Sequence, residues 1–180
     1  VDTLVLIDDS IVRGTTLKES IIYILSTLRP KKIIIVSSAP QIRYPDCYGI
    51  DMSKMKEFVA FRALVELLEE DGKSDLLDDV LKRCIEEENK PVREMQNQVQ
   101  SLYAHYTDEQ ISAKISQLVT PENIAPEVQV LYQSIEDLHK ACPNHNGDWY
   151  FSGNYPTPGG MRVVNRAFIN YMRNNDERAY

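Results

Sequence analysis

The sequence predicts an α/β fold, in which a parallel sheet built on a β–α–β unit is followed by a mostly helical C-terminal region. Two continuous apolar runs, Leu4–Ile7 and Ile33–Val36, are typical of strands in a parallel sheet. The stretch between them, residues 15–28, has apolar side chains at helical spacing: Leu17, Ile21, Ile24, Leu25 and Leu28. Strand, helix and strand in this order predict parallel strands joined by a helical crossover.

The first strand is expected to be central in its sheet and buried on both faces, because its apolar run is unbroken. The helix after it ends at Arg29 and Pro30, and the second strand leads into a loop at residues 37–52. The chain starts at Val1, without Met and almost inside a strand. We therefore expect it to be the C-terminal part of a longer protein.

Charged helical segments dominate the rest of the chain. Predicted helices cover residues 53–70, 74–89, 91–105, 107–118 and 125–141, and a last helix at 161–173 follows a loop at 148–160. Ser74 and Thr107 are candidate N-caps, and Thr107 forms a capping-box pattern with Gln110. Gly72 marks a helix end. We place a boundary there, with residues 1–72 in the α/β domain and 73–180 in a helical extension.

Composition narrows the possible partners. The chain has 180 residues and a formal net charge of -7, which argues against a nucleic-acid partner because phosphate contacts need a basic face. It has no apolar stretch long enough for a membrane span, so no membrane partner is expected. Its three cysteines are scattered and odd in number, which favours a reducing, cytoplasmic location.

The stretch LVLIDDSIVRGTT combines two kinds of binding group. Asp8 and Asp9 stand where the first strand ends, and open parallel sheets bind ligands outside the carboxyl ends of their strands. Residues 10–16 then lead into a helix N-terminus, where free N–H groups bind anions, and Gly14 allows close approach. The segment therefore predicts a phosphate cradle beside an acidic pair that suits sugar hydroxyls or Mg²⁺, as a sugar 5-phosphate requires.

Two other interpretations of the acidic pair stay open. In receiver-type α/β domains paired aspartates bind Mg²⁺ near a phosphoacceptor Asp, but the second strand here is followed by SSAP, with no Asp. In a purely structural interpretation Asp8 is a turn residue and Asp9 caps the helix.

Two segments resemble the amidophosphoribosyltransferase family. VLIDDSIVRGTT resembles the phosphoribosyl pyrophosphate (PRPP) motif of type I phosphoribosyltransferases in the form that this family carries. SSAPQIRYPDCYGIDM, residues 37–52, is similar to the family segment that follows the next strand. A third piece, FSGNYPTPGG at 151–160, resembles its C-terminal Phe-x-Gly-x-Tyr-Pro-Thr piece. The strong resemblance covers about residues 3–62.

The resemblance implies transfer of glutamine-derived ammonia to C1 of PRPP, which gives 5-phosphoribosylamine and pyrophosphate in purine synthesis. It implies that Asp8 and Asp9 are the catalytic pair, contact the ribose hydroxyls and help hold Mg²⁺. It also implies a substrate-binding loop around the 5-phosphate, formed by Ser10, Ile11, Val12, Arg13, Gly14, Thr15 and Thr16. Residues 48–52 should lie nearby. The parent is expected to be a homo-oligomer, and this chain alone to be inactive without the glutaminase domain and pyrophosphate loop.

The resemblance also bears on metals. Some family members bind an iron–sulfur cluster through cysteines just before the Phe-x-Gly-x-Tyr-Pro-Thr piece. Here Tyr150 stands where a thiolate would be needed, and the chain has no Cys-x-x-Cys, so we expect no cluster. Cys142 and His145 are three residues apart, but a zinc site normally needs a second ligand pair.

Two further functions remain as alternatives. A PRPP-sensing regulatory module would keep the motif without catalysis, but known cases carry a basic DNA-binding helix that this acidic chain lacks. Another type I phosphoribosyltransferase would use a base or orotate as nucleophile. The YGIDM segment and the long C-terminal region argue against that enzyme.

Overall fold

The computed structural model describes residues 2–46, 52–145 and 147–179. Its sheet has three parallel strands in the order β1–β2–β3, which confirms the predicted α/β class. The strands are β1 (Thr3–Asp8), β2 (Lys32–Ser37) and β3 (Glu127–Tyr132). The strand–helix–strand unit predicted from the two apolar runs is therefore present.

Helices make up most of the remaining described chain. They are α1 (Ile22–Ser26), α2 (Val59–Glu70), α3 (Asp75–Glu88), α4 (Gln100–Tyr103), α5 (Asp108–Val119), α6 (Ile135–Ala141), α7 (Trp149–Ser152) and α8 (Pro158–Met172). Four predicted helices, at 53–70, 74–89, 107–118 and 161–173, are confirmed with shifted ends. None of the helices in the described residues has the length and apolar character to cross a membrane.

The prediction that β1 is buried on both faces is wrong. β1 lies at an edge of the described sheet, and the side chains of Val5 and Ile7 are 61% and 74% exposed. On the opposite face, Ile35 of β2 and Val130 of β3 are buried. Helices of the described chain therefore cover one face of the sheet, while its other face stays open at β1.

The helix between β1 and β2 buries only part of the predicted stripe, with Ile21 and Leu25 partly buried against the core. It begins with a π-helical segment, Leu17–Ile21, before α1. The wider i→i+5 turn brings residues five apart onto one face, so Leu17 and Ile22 are buried. Ile24 and Leu28, which straight α-helical spacing placed on the core side, are exposed.

The helix predicted at 91–105 is wrong over most of its length. Only a 3₁₀ turn at Val92–Glu94 and the short α4 form there. Between them the buried Asn97 accepts a hydrogen bond from Val99 N at 3.0 Å and donates to Gly153 O at 3.2 Å. An Asn side chain that bonds nearby backbone in this way competes with helix formation.

The helix predicted at 125–141 is also wrong in its first half, because residues 127–132 form β3. Val128 and Val130 alternate with Glu127 and Gln129, which is the period of a strand. The helix that follows, α6, starts only after Ser134 accepts a hydrogen bond from Asp137 N at 3.0 Å. Residues 73–180 therefore contribute a strand to the sheet, and the boundary at Gly72 stays a prediction.

The core lies among the helices that follow the sheet motif. Phe58, Phe61 and Leu64 bring α2 against α5 and α8, and all three are fully buried. Burial of each such side chain stabilises the fold by about 1.5–3 kcal/mol. The capping box of α5 is confirmed: Thr107 Oγ1 accepts from Gln110 N, and the Gln110 side chain accepts from Thr107 N.

Candidate functional site

The candidate site begins where β1 ends. Asp8, Ser37 and Tyr132 lie in register at the carboxyl ends of the three strands. Ser38, just after β2, donates to Asp8 O through its N–H at 2.9 Å and through its hydroxyl at 3.1 Å. The two motif segments recognised in the sequence are therefore tied together at the sheet edge where parallel sheets bind ligands.

The two aspartates hold the turn and keep free carboxylate oxygens. Asp8 Oδ1 accepts from Asp9 N at 3.1 Å, and Asp9 Oδ1 accepts from Ser10 N at 2.7 Å. Within the described residues, Oδ2 of each has no hydrogen-bond partner. The helical segment is preceded by Thr16, so Asp9 is not its cap as the structural interpretation supposed. Asp8 is half-buried and Asp9 is exposed, so both can meet a ligand.

The loop that follows rests on the helical region. Val59 N, at the start of α2, donates to Val12 O at 2.8 Å. Gly14 has a φ of +71°, and a Cβ there would lie 2.8 Å from Cγ1 of Val119 in α5. Glycine is therefore needed at this position both for its backbone conformation and for the close approach of α5.

Two side chains distant in sequence fix Arg13 in this loop. Arg13 Nη2 and Glu57 Oε2 are 2.7 Å apart, and Arg62 Nη2 donates to Arg13 O at 2.5 Å. The Arg13 side chain remains 52% exposed. Sequence reasoning missed Glu57 and Arg62, because nothing in the local pattern shows that α2 and the turn before it contact the loop.

A cavity of about 560 Å³ lies against this loop. It is lined by Asp8, Ser10, Ile11, Val12, Arg13, Gly14, Thr15, Thr16, Leu17, Ile21 and Met52. Every predicted site residue except Asp9 therefore lines one cavity. Met52, the last residue of the second recognised segment, lines it too, whereas residues 48–51 lie outside the described residues.

Tyr132 is a further polar group at the carboxyl edge that sequence reasoning missed. Its hydroxyl is buried and has no hydrogen-bond partner among the described residues. Burial raises the pKa of this phenol, and the negative charge of Asp8 raises it further. Tyr132 is the last residue of β3, whereas the sequence predicts a helix over 125–141.

The two acidic residues at this edge are Asp8, the last residue of β1, and Asp9, which follows it directly. Among the described residues, no group of three or more His, Cys, Asp and Glu side chains could hold a metal ion. The expectation that Asp8 and Asp9 help hold Mg²⁺ therefore stays a prediction. His139, Cys142, His145 and Asp148 line a separate cavity of about 140 Å³. The expectation of no iron–sulfur cluster stays a prediction, and Cys47 lies outside the described residues.

Comparison with known proteins confirms the resemblance. A curated amidophosphoribosyltransferase of Pasteurella multocida is 40% identical over 93 residues, covering 49% of this chain and 18% of the relative. That of Haemophilus influenzae is 48% identical over 65 residues, covering 36% and 13%. That of Escherichia coli is 51% identical over 55 residues, covering 31% and 11%. No family model matches the chain. The chain thus covers less than a fifth of each relative's length.

Proposed function

We propose that residues 8–16 form the ribose 5-phosphate part of a PRPP site, and that the chain works as part of an amidophosphoribosyltransferase. The observation that carries this proposal is the single cavity shared by Asp8, the loop at 10–16 and Met52. The names of the relatives favour this enzyme over a different type I transferase or a regulatory module.

The loop supplies the phosphate end of the proposed site. Its backbone approaches the cavity at Gly14, and the hydroxyl groups of Ser10, Thr15 and Thr16 add donors. Arg13 adds a guanidinium whose charge is partly offset by Glu57 at 2.7 Å. We assign Arg13 both a phosphate contact and a role in holding the loop, since Arg62 binds its carbonyl oxygen.

The aspartates supply the sugar end. Carboxylate oxygens accept hydrogen bonds from the ribose hydroxyls, and Oδ2 of Asp8 and of Asp9 is available for this. When pyrophosphate leaves C1, positive charge develops on the ribose ring, and fixed carboxylates nearby stabilise it. When bound, Mg²⁺ would lie near Asp8 and Asp9 and neutralise the charge of the leaving pyrophosphate.

The proposed reaction is a displacement at C1 of PRPP. The bond from C1 to pyrophosphate oxygen breaks, a bond from C1 to ammonia nitrogen forms, and the ammonium proton passes to water. This chain holds the ribose 5-phosphate part of PRPP in a fixed orientation. Orientation of the reactants lowers the activation free energy by several kcal/mol in well-aligned sites (on the order of 7–11 kcal/mol at most). Glutamine as ammonia source, a homo-oligomeric parent and a cytoplasmic location remain predictions.

Titration calorimetry with ribose 5-phosphate and with PRPP, with and without Mg²⁺, tests the site. The test variant is Asp8→Asn with Asp9→Asn, and the matched control is Asp75→Asn with Asp78→Asn. The control changes the net charge equally, but its residues lie in α3 and line no part of this cavity. We expect binding by the wild type and the control, and at least tenfold weaker binding by the test variant.

Equal binding by both double variants would refute the sugar role of Asp8 and Asp9. Ribose 5-phosphate that fails to bind the wild type would refute a preformed site in this chain. A separate assay of phosphoribosylamine formation from PRPP and ammonia tests catalysis. We expect no turnover by the chain alone, and a normal rate would contradict that expectation.

A further inference from the structure

A second polar cavity, of about 590 Å³, lies along α8 and the C-terminal segment after it. Its polar lining includes Thr157, Arg162, Arg166, Asn170, Glu177 and Arg178. It shares no lining residue with the cavity of the candidate PRPP site. Three of its lining residues are arginines, although the chain as a whole is acidic.

The fold brings these arginines together from two segments. Arg162 and Arg166 are one turn apart on α8 and therefore share a face. The segment after α8 folds back along it: Asn175 N donates to Asn170 O at 2.8 Å, and Asn170 Nδ2 donates to Glu177 O at 3.2 Å. The buried Ala179 anchors the end of this segment. These contacts place Arg178 against the same cavity as the two arginines of α8.

Within the described residues, two of the three guanidinium groups have no carboxylate partner. Arg166 Nε lies 2.6 Å from Glu88 Oε1, whereas Arg162 and Arg178 form no ion pair with any described residue. Glu177 is the only carboxylate that lines the cavity in the described chain, and its Oε2 accepts from Asn175 Nδ2 at 3.1 Å. Arg162 and Arg178 are both exposed, so their guanidinium groups are accessible to an anion from solvent.

We propose that this cavity binds a phosphate-bearing anion with two or more negative charges, independently of the PRPP site. The planar fork of each guanidinium matches the geometry of phosphate oxygens, and two unpaired arginines balance a dianion. Thr157 Oγ1 already accepts from Gly160 N at 3.3 Å, so the arginines rather than the helix N-terminus carry the charge.

The test is titration calorimetry of the whole chain with inorganic pyrophosphate, at fixed ionic strength and without Mg²⁺. The test variant is Arg162→Gln with Arg178→Gln. The control, Arg93→Gln with Arg173→Gln, removes the same charge at exposed positions outside the cavity. We expect the control to bind like the wild type and the test variant to bind at least tenfold more weakly. Equal affinities in the two double variants, or no binding by the wild type, would overturn the proposal.

Two further variants separate this cavity from the PRPP site and guard against a misfolded test protein. Arg13→Gln removes a cation from the loop of the proposed PRPP site and should leave pyrophosphate affinity at this cavity unchanged, whereas a comparable loss there would move binding to the other site. Glu177→Gln removes the one carboxylate of the cavity and should tighten binding severalfold. Failure of Glu177→Gln to tighten binding would contradict an anion at these arginines.

Discussion

The carboxyl end of β1 and the helical core differ in how far their side chains are buried. From β1 through the loop at 10–16, apolar side chains such as Ile7 face solvent and carboxylate oxygens lack partners. Around α2, α5 and α8, the aromatic side chains of Phe61 and Phe168 are fully buried, and Ile111 and Ile115 are buried beside them. The stability of the chain therefore resides in the helical region, which leaves the first region free to be shaped for a ligand.

The largest expected change in the free energy of unfolding is in the helical core. Phe61 is 0% exposed, and its ring packs edge-on against Phe168 and Tyr171 with centroids 6.1 and 4.8 Å away. Phe61→Ala should lower the free energy of unfolding in urea by about 3–5 kcal/mol, because it leaves a cavity among aromatic rings. Phe151→Ala is the control, since Phe151 is only half-buried and should cost clearly less. Equal costs would mean that the core is not concentrated around α2.

Gly14→Ala tests the contact between the loop at 10–16 and α5. A Cβ at Gly14 would meet Val119 at 2.8 Å, on a backbone with a φ of +71°. We expect a loss of about 2–4 kcal/mol in the free energy of unfolding, from left-handed strain of about 1–2 kcal/mol and overpacking of about 1–3 kcal/mol.

Gly72→Ala is the matched control for that substitution. Gly72 has a φ of +66°, but a Cβ there would have nothing within 4 Å. Its cost should be the strain alone, about 1–2 kcal/mol. Equal losses in the free energy of unfolding for both substitutions would mean that the loop at Gly14 can move away from Val119. In that case α5 does not support the proposed phosphate site.

The contrast with the free carboxylates near β1 is sharpest at Glu87, whose carboxylate is buried and fully paired. Burial alone would raise its pKa, but hydrogen bonds from Lys90, Gln96 N and Gln98 lower it overall. A lowered pKa in the folded state means that the ionised group stabilises the fold above the ordinary glutamate pKa of about 4.3. That stabilisation is lost as the pH falls through the folded-state pKa.

Urea unfolding of wild type and Glu87→Gln at several pH values measures this contribution. We expect the wild type to be the more stable at pH 7 and the difference to shrink below about pH 4.3. The control is Asp75→Asn, which removes a carboxylate at an exposed position in α3. A Glu87 difference that stays constant down to strong acid would contradict the assigned role of these hydrogen bonds.

The sequence predicted what is local and missed what depends on distant contacts. The β–α–β unit and the capping box at Thr107 follow from short patterns, and both are present. β3 was missed because a charged, helix-capped segment follows its short alternating run. The exposure of Ile7 and the contacts of Glu57 and Arg62 with the loop depend on which elements pack together. No pattern within the loop itself encodes that packing.

The smallest expected change in the free energy of unfolding is at the open face of β1. Ile7 is 74% exposed, so Ile7→Ala removes little buried surface and should change the free energy of unfolding by no more than about 0.5 kcal/mol. Ile35→Ala, on the covered face of the neighbouring strand, is the matched control and should cost about 2–5 kcal/mol because Ile35 is 0% exposed.

A loss in the free energy of unfolding for Ile7→Ala close to that for Ile35→Ala would contradict the difference in burial between the two regions. It would mean that the open face is covered in solution, since an exposed side chain cannot lose that much on truncation. Sedimentation of the wild type over a range of concentrations then shows whether a second copy of the chain covers the open face of β1. Dimerisation that weakens in Ile7→Ala would place a second copy on this face, whereas a monomer would require a rearranged β1. A small cost at Ile7 with a large one at Ile35 leaves the face open, beside a loop free to bind its ligand.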